Sequence, residues 1–131
     1  HIVGEHSASS LLLVDKPNVF FHGKLRKLET IYNRCRGFIA PTRFAAGIPH
    51  KVHEASEMGI PCVASKLLAE QLQWTHDKEL LIGITAMDFA DLCVRLHQDG
   101  RLWAKIRENS LESIKSECSK DKIKDTLEKL L

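Results

Sequence analysis

The residue types best suited to chemistry cluster in residues 41–55, read as PTRFAAGIPHKVHEA. A short apolar run, Gly37-Phe38-Ile39-Ala40, precedes them and predicts a buried strand. Small residues follow at Ala45, Ala46 and Gly47, and then residues 50–58 read as a short helix closed by Gly59. Pro49 suits the first helical turn, where its missing N–H costs nothing. The predicted unit is strand, glycine-containing loop, helix start. Such a start presents unpaired backbone N–H groups and the positive end of the helix dipole, which together attract phosphate. Lys51 falls in the first turn and reaches an anion held there. Glu54, three residues on, shares its face. A carboxylate at that point accepts two hydrogen bonds and suits a ribose diol. From spacing alone the same two residues read first as a surface ion pair worth roughly 0.2–0.5 kcal/mol, because an isolated loop-helix signal is weak.

The flanking elements must hold this loop. His1-Ile2-Val3-Gly4 reads as a strand already under way, ending in a glycine turn, and residues 7–13 as a short helix with serine caps. Asp15-Lys16-Pro17-Asn18 is a turn, and Val19-Phe20-Phe21-His22 a strand ended by Gly23. Leu28, Ile31, Tyr32 and Cys35 form a helical stripe that places Tyr32 in the core. Cys62-Val63-Ala64-Ser65 and Glu79-Leu80-Leu81-Ile82-Gly83 are further strands, and the lone Trp74 between them reads as packing. Thr85 and Asp88 form a capping box with Asp in place of Glu. Phe89, Leu92, Cys93 and Leu96 make the next stripe, which Asp99-Gly100 breaks. Trp103, Ile106, Ser110 and Ile114 line another helix, and Ile123, Leu127, Leu130 and Leu131 the last.

Strands alternating with helices predict an α/β fold, a Rossmann-like three-layer domain with a parallel sheet of about five strands and right-handed crossovers. Ligands in such sheets bind beyond the carboxyl ends of the strands. Those ends are Gly4-Glu5, Gly23-Lys24, residues 41–49 and Ser65-Lys66.

The chain has 131 residues, 44% of them apolar, enough for one domain with its own core. A net charge of +2, with the charges interspersed, gives no basic block or aromatic-basic stripe for nucleic acid. No apolar run approaches membrane-span length and no signal peptide is visible. The four cysteines, Cys35, Cys62, Cys93 and Cys118, are widely spaced, and three lie in apolar patterns. They read as thiols in a reducing, cytosolic compartment. His50 and His53 lack a third ligand nearby, so no metal site is predicted.

The run Gly47-Ile48-Pro49-His50-Lys51-Val52-His53-Glu54-Ala55, followed by Gly59-Ile60-Pro61-Cys62-Val63-Ala64-Ser65, resembles the donor-binding domain of GT-B retaining glycosyltransferases. More narrowly, it is similar to the glycosyl transferases group 1 family, with its G-x-x-x-K-x-x-E-A and G-x-P-V-V-A/S segments. Asn18-Val19-Phe20-Phe21-His22-Gly23 and the stretch from Ile31 to Pro41 resemble the family's upstream segments, in the same order.

The resemblance implies half of a GT-B fold. Residues 1–131 would be a single domain, the C-terminal donor-binding part, without the acceptor domain and first β-α unit. It implies a hexosyltransferase-type parent enzyme in carbohydrate biosynthesis, with the fragment alone inactive. The substrate would be a UDP- or GDP-sugar, with no metal or other cofactor. Gly47, Ile48, His50 and Lys51 would hold the donor diphosphate and Glu54 the ribose. Gly23, Lys24 and Leu25 would lie near the base, and Ala46 and Glu70 near the sugar. Many relatives carry a glutamate where this chain has Ala46. Ala45 stands where a subgroup reading R-x-G-x-G has glycine, and its methyl crowds a close backbone approach. No catalytic base or nucleophile is legible. The partners implied are the sugar nucleotide and the missing acceptor domain, with any membrane contact made through the parent protein. Two other classes stay open: a non-catalytic phosphate-ligand or regulatory module, and a sugar-nucleotide epimerase fragment, which needs further acids and histidines around the sugar.

Overall fold

A computed structural model describes residues 1–4 and 16–130. The helix expected over residues 7–13, Leu131, and the side chains of Lys120, Ile123, Thr126 and Leu130 lie outside the described residues. The chain forms two compact units, His1–Arg34 and Cys35–Leu131.

In the first unit, Ile2 and Phe21 form a parallel bridge, where two strands were expected. The amide of Ile2 donates to Phe20 O at 2.8 Å, that of His22 to Ile2 O at 3.0 Å and that of Gly4 to Gly23 O at 2.8 Å. The His1 ring stacks on Phe20 at 5.2 Å and its Nδ1 is 2.7 Å from His22 Nε2. The stripe predicted from Leu28 to Cys35 yields only one helical turn, α1 (Glu29–Tyr32). Tyr32 is buried as expected, but Leu28 and Ile31 are only half-buried. With so little apolar burial, a second turn has nothing to offset the entropy of ordering it.

The second unit is built on a parallel sheet of three strands, β1 (Phe38–Ala40), β2 (Cys62–Ser65) and β3 (Leu81–Gly83), in the order β1-β2-β3. Five helices accompany it: α2 (His50–Glu57), α3 (Lys66–Leu72), α4 (Ala86–Gln98), α5 (Gly100–Glu117) and α6 (Lys120–Leu130). The register sets Ile39 beside Val63, and Val63 beside Leu81. Register partners share a face of the sheet. On that face Val63 and Leu81 pack with Leu96, Leu102 and Ile106 into the core, and Phe89, Leu92, Cys93 and Trp103 cover its rim. On the opposite face Cys62 lies under α2, its thiol 3.6 Å from Ser56 Oγ. Helices on both faces of a parallel sheet make the α/β Rossmann-like layering the alternation predicted.

Helix α4 begins as its sequence dictates. Thr85 Oγ1 accepts the Asp88 amide at 3.1 Å, and the Asp88 carboxylate accepts the Thr85 amide at 2.8 Å. These bonds hold the Asp88 carboxyl below its usual range. Asp99 ends α4 and caps α5, accepting the amides of Arg101 and Leu102 at 3.0 and 2.9 Å. Among the described residues no helix is long and apolar enough to cross a membrane.

Candidate functional site

The strand, loop and helix predicted to carry the chemistry are all present: β1 ends at Ala40 and α2 begins at His50. Gly47, at φ +83°, is the one residue of the intervening loop in the left-handed region. No side chain crowds it, so the backbone path alone favours glycine there. The loop is therefore built without positive φ at Ala45 or Ala46. Ala45 is anchored through its carbonyl, which accepts Gln71 Nε2 at 3.2 Å. Gln71 belongs to α3, so the next helix in the chain holds the loop.

Pro49 does not occupy the first helical turn as expected; it is the N-cap, at φ −78° and ψ 71°. That geometry makes an inverse γ-turn, and the His50 amide donates to Ile48 O at 2.9 Å. The Pro49 carbonyl then accepts the amides of Val52 and His53 at 2.9 and 3.3 Å. Of the amides at this helix start, His50's is therefore already engaged. Those of Gly47, Ile48 and Lys51 make no hydrogen bond among the described residues.

His50, Lys51 and Glu54 are exposed, whereas Val52, Ala55 and Ser56 are buried. The helix thus turns its apolar stripe inward and presents Lys51 and Glu54 on its outer face. Among the described residues neither is in an ion pair, so the surface-pair reading of Lys51 with Glu54 is not realised. Lys51 and Glu54 on this face, with the amides of Gly47, Ile48 and Lys51 that make no hydrogen bond among the described residues, form a set able to hold a phosphate and a vicinal diol.

Of the remaining predicted positions, Ala46 belongs to this strand-loop-helix unit and the others lie elsewhere in the sequence. Ala46 is exposed on the loop itself. Glu70 is exposed on α3 and lies 3.6 Å from Lys66, one turn back. Gly23 (φ +64°), exposed Lys24 and half-buried Leu25 belong to the first unit. Among the described residues no group of three or more His, Cys, Asp or Glu side chains gathers to hold a metal ion.

Sequence reasoning did not find Gln71, since nothing local marks a glutamine as the anchor of a loop 26 positions earlier. It also missed Glu79, almost fully buried at 5% exposure. Burial alone would raise its carboxyl. The Lys78 ammonium at 2.8 Å and the Thr75 amide at 2.9 Å outweigh that and hold it below the usual range. Trp74 is buried as expected, and its indole donates to Glu117 Oε1 at 2.8 Å.

Comparison with known proteins bears on the family and the fold. The family model described as "Glycosyl transferases group 1" matches residues 1–99. Among curated proteins, none matches the sequence. Among solved structures, the crystal structure of Anabaena HepE in complex with UDP and glucose superposes with a TM-score of 0.78 at 17% identity, over 97% of this chain. The match covers 39% of HepE, so this chain spans well under half of that protein's length.

Proposed function

This chain belongs to the glycosyl transferases group 1 family and has the fold of one half of a GT-B enzyme, and from that membership we propose that it binds a nucleoside-diphosphate sugar. Residues 1–131 act as a single donor-binding domain. The parent protein supplies the acceptor domain, the first β-α unit and the transfer to an acceptor. The observation that carries the reading is the start of α2, where Lys51 and Glu54 stand exposed one turn apart and the amides of Gly47, Ile48 and Lys51 make no hydrogen bond among the described residues.

In this reading the diphosphate rests on those amides and on the Lys51 ammonium, with His50 at the rim. When the bond between the sugar C1 and the phosphate oxygen breaks, negative charge grows on the leaving diphosphate. Donors already aimed there stabilise it without reorganising. Glu54 accepts hydrogen bonds from both ribose hydroxyls. Ala46 and Glu70 meet the sugar, for which Glu70 turns away from Lys66. The ammonium offsets part of the diphosphate charge and the amides donate hydrogen bonds to its oxygens, and no metal is assigned. HepE was crystallised with UDP and glucose, the ligand class this reading assigns. The compartment is the cytoplasm, consistent with four cysteines that all remain free thiols.

Titration calorimetry with UDP and with GDP tests the assignment. A charge-assisted hydrogen bond contributes about 1.5–3 kcal/mol, so Lys51→Ala and Glu54→Ala should each weaken binding by roughly 10- to 100-fold. Saturable binding that both variants retain at full strength, or no binding of either nucleotide, refutes it.

A further inference from the structure

His53 lies between Lys51 and Glu54 in sequence, yet it is only partly exposed and faces α5 rather than solvent. Its Nε2 is buried and makes no hydrogen bond among the described residues, although Glu117 Oε2 stands 3.3 Å away. The other oxygen of Glu117 accepts the Trp74 indole N–H at 2.8 Å, and the Trp74 ring lies tilted against His53 with centroids 5.8 Å apart. One carboxylate thus joins three elements: α2, the turn that follows α3, and α5, whose last residue it is. Glu117 lies beyond residues 1–99, so the family match says nothing about it.

We infer that Glu117 is a positioning residue for ligand binding on α2, fixing the roll of that helix through His53 and so aiming Lys51 and Glu54. Helical residues are spaced by about 100° around the axis, so no side chain of α2 can turn without the others. A roll of about 10° moves an atom about 6 Å from the axis by roughly 1 Å, and misplacement of that size is costly at a binding site. Glu117 is suited to prevent it because it is itself held, by an indole donor on a buried ring.

The inference rests on the donor reading for its ligand, and two measurements keep them separable. Amide hydrogen exchange over residues 50–57 needs no ligand; UDP affinity does. Glu117→Gln keeps an acceptor for Trp74 and offers His53 an N–H, so both measurements should match the wild type. Glu117→Ala removes both contacts. It should speed exchange in α2 and weaken UDP binding by roughly 5- to 10-fold. Unchanged exchange in Glu117→Ala overturns the positioning role, whatever UDP does. Equal weakening in Glu117→Ala and Glu117→Gln, tracking equal losses of thermal stability, reduces Glu117 to ordinary packing and overturns it too. If the wild type binds neither UDP nor GDP while Glu117→Ala still exchanges faster, the donor reading falls, and the inferred aiming of ligand contacts falls with it.

Discussion

Replacing Gly59 by alanine should be among the most damaging single-methyl additions to this chain. Gly59 follows the C-cap of α2 at φ +72°, its amide donates to Ser56 O at 2.9 Å, and the Ile60 amide reaches back to Ala55 O at 2.9 Å. This is a Schellman closure, which needs a residue in the left-handed region. An L side chain there costs about 1–2 kcal/mol. A Cβ would also stand 2.8 Å from Arg107 Nε, so the guanidinium must move. Arg107 lies 5.9 Å from the centroid of the Trp103 ring, and losing that contact at an exposed site costs about 0.5–1 kcal/mol. The expected sum is about 2 kcal/mol. For a chain of 131 residues this lowers Tm by roughly 6–10 °C. Urea unfolding of wild type, Gly59→Ala, Arg107→Ala and the double variant separates the two parts. The double variant should recover the steric share and keep the backbone share. A cost below about 0.5 kcal/mol for Gly59→Ala would refute the backbone argument. Strict additivity in the cycle would refute the Arg107 contact.

Two further outcomes follow from buried groups. The Glu79 carboxyl is held below its usual range, so its contribution to stability is full above the unfolded-state value and is lost as pH falls through the folded one. Glu79→Gln should therefore flatten the acid limb of a Tm-against-pH curve, and an unchanged limb would contradict the Lys78 and Thr75 contacts. Burial pushes the Cys62 thiol up to about 12, while Cys118 is exposed. Iodoacetamide at neutral pH should alkylate Cys118 in the native protein and reach Cys62 only on unfolding, read by peptide mass; rapid native labelling of Cys62 would mean α2 does not seal it.

Local rules made much of the chain legible. Thr85 with Asp88, Gly59 after a helical run, and the stripe of Phe89, Leu92, Cys93 and Leu96 each depend on neighbours within one or two turns, and each element formed there. The helix over residues 50–57 was legible for the same reason: three-residue spacing places Lys51 and Glu54 on one face in any α-helix. The stripe from Leu28 to Cys35 misled because periodicity records where an apolar face would be, not whether enough of it is buried. Leu102, at 7% exposure, falls just outside the predicted stripe of α5 because that helix packs against several elements at once.

The sequence by itself determined the alternation of strand and helix, the Thr85 capping box, the glycine turn and the residue types at the start of α2, since all of these are set by backbone preferences and nearest neighbours. Only the tertiary structure decided that Gln71 anchors the loop at Ala45, that Glu79 is buried with a cation, and that Glu117 meets His53 and Trp74. The Trp74–Glu117 contact spans 43 positions. Parallel strands force their connecting helices to return across the sheet, so residues far apart in the chain become neighbours through that packing rather than through any local pattern.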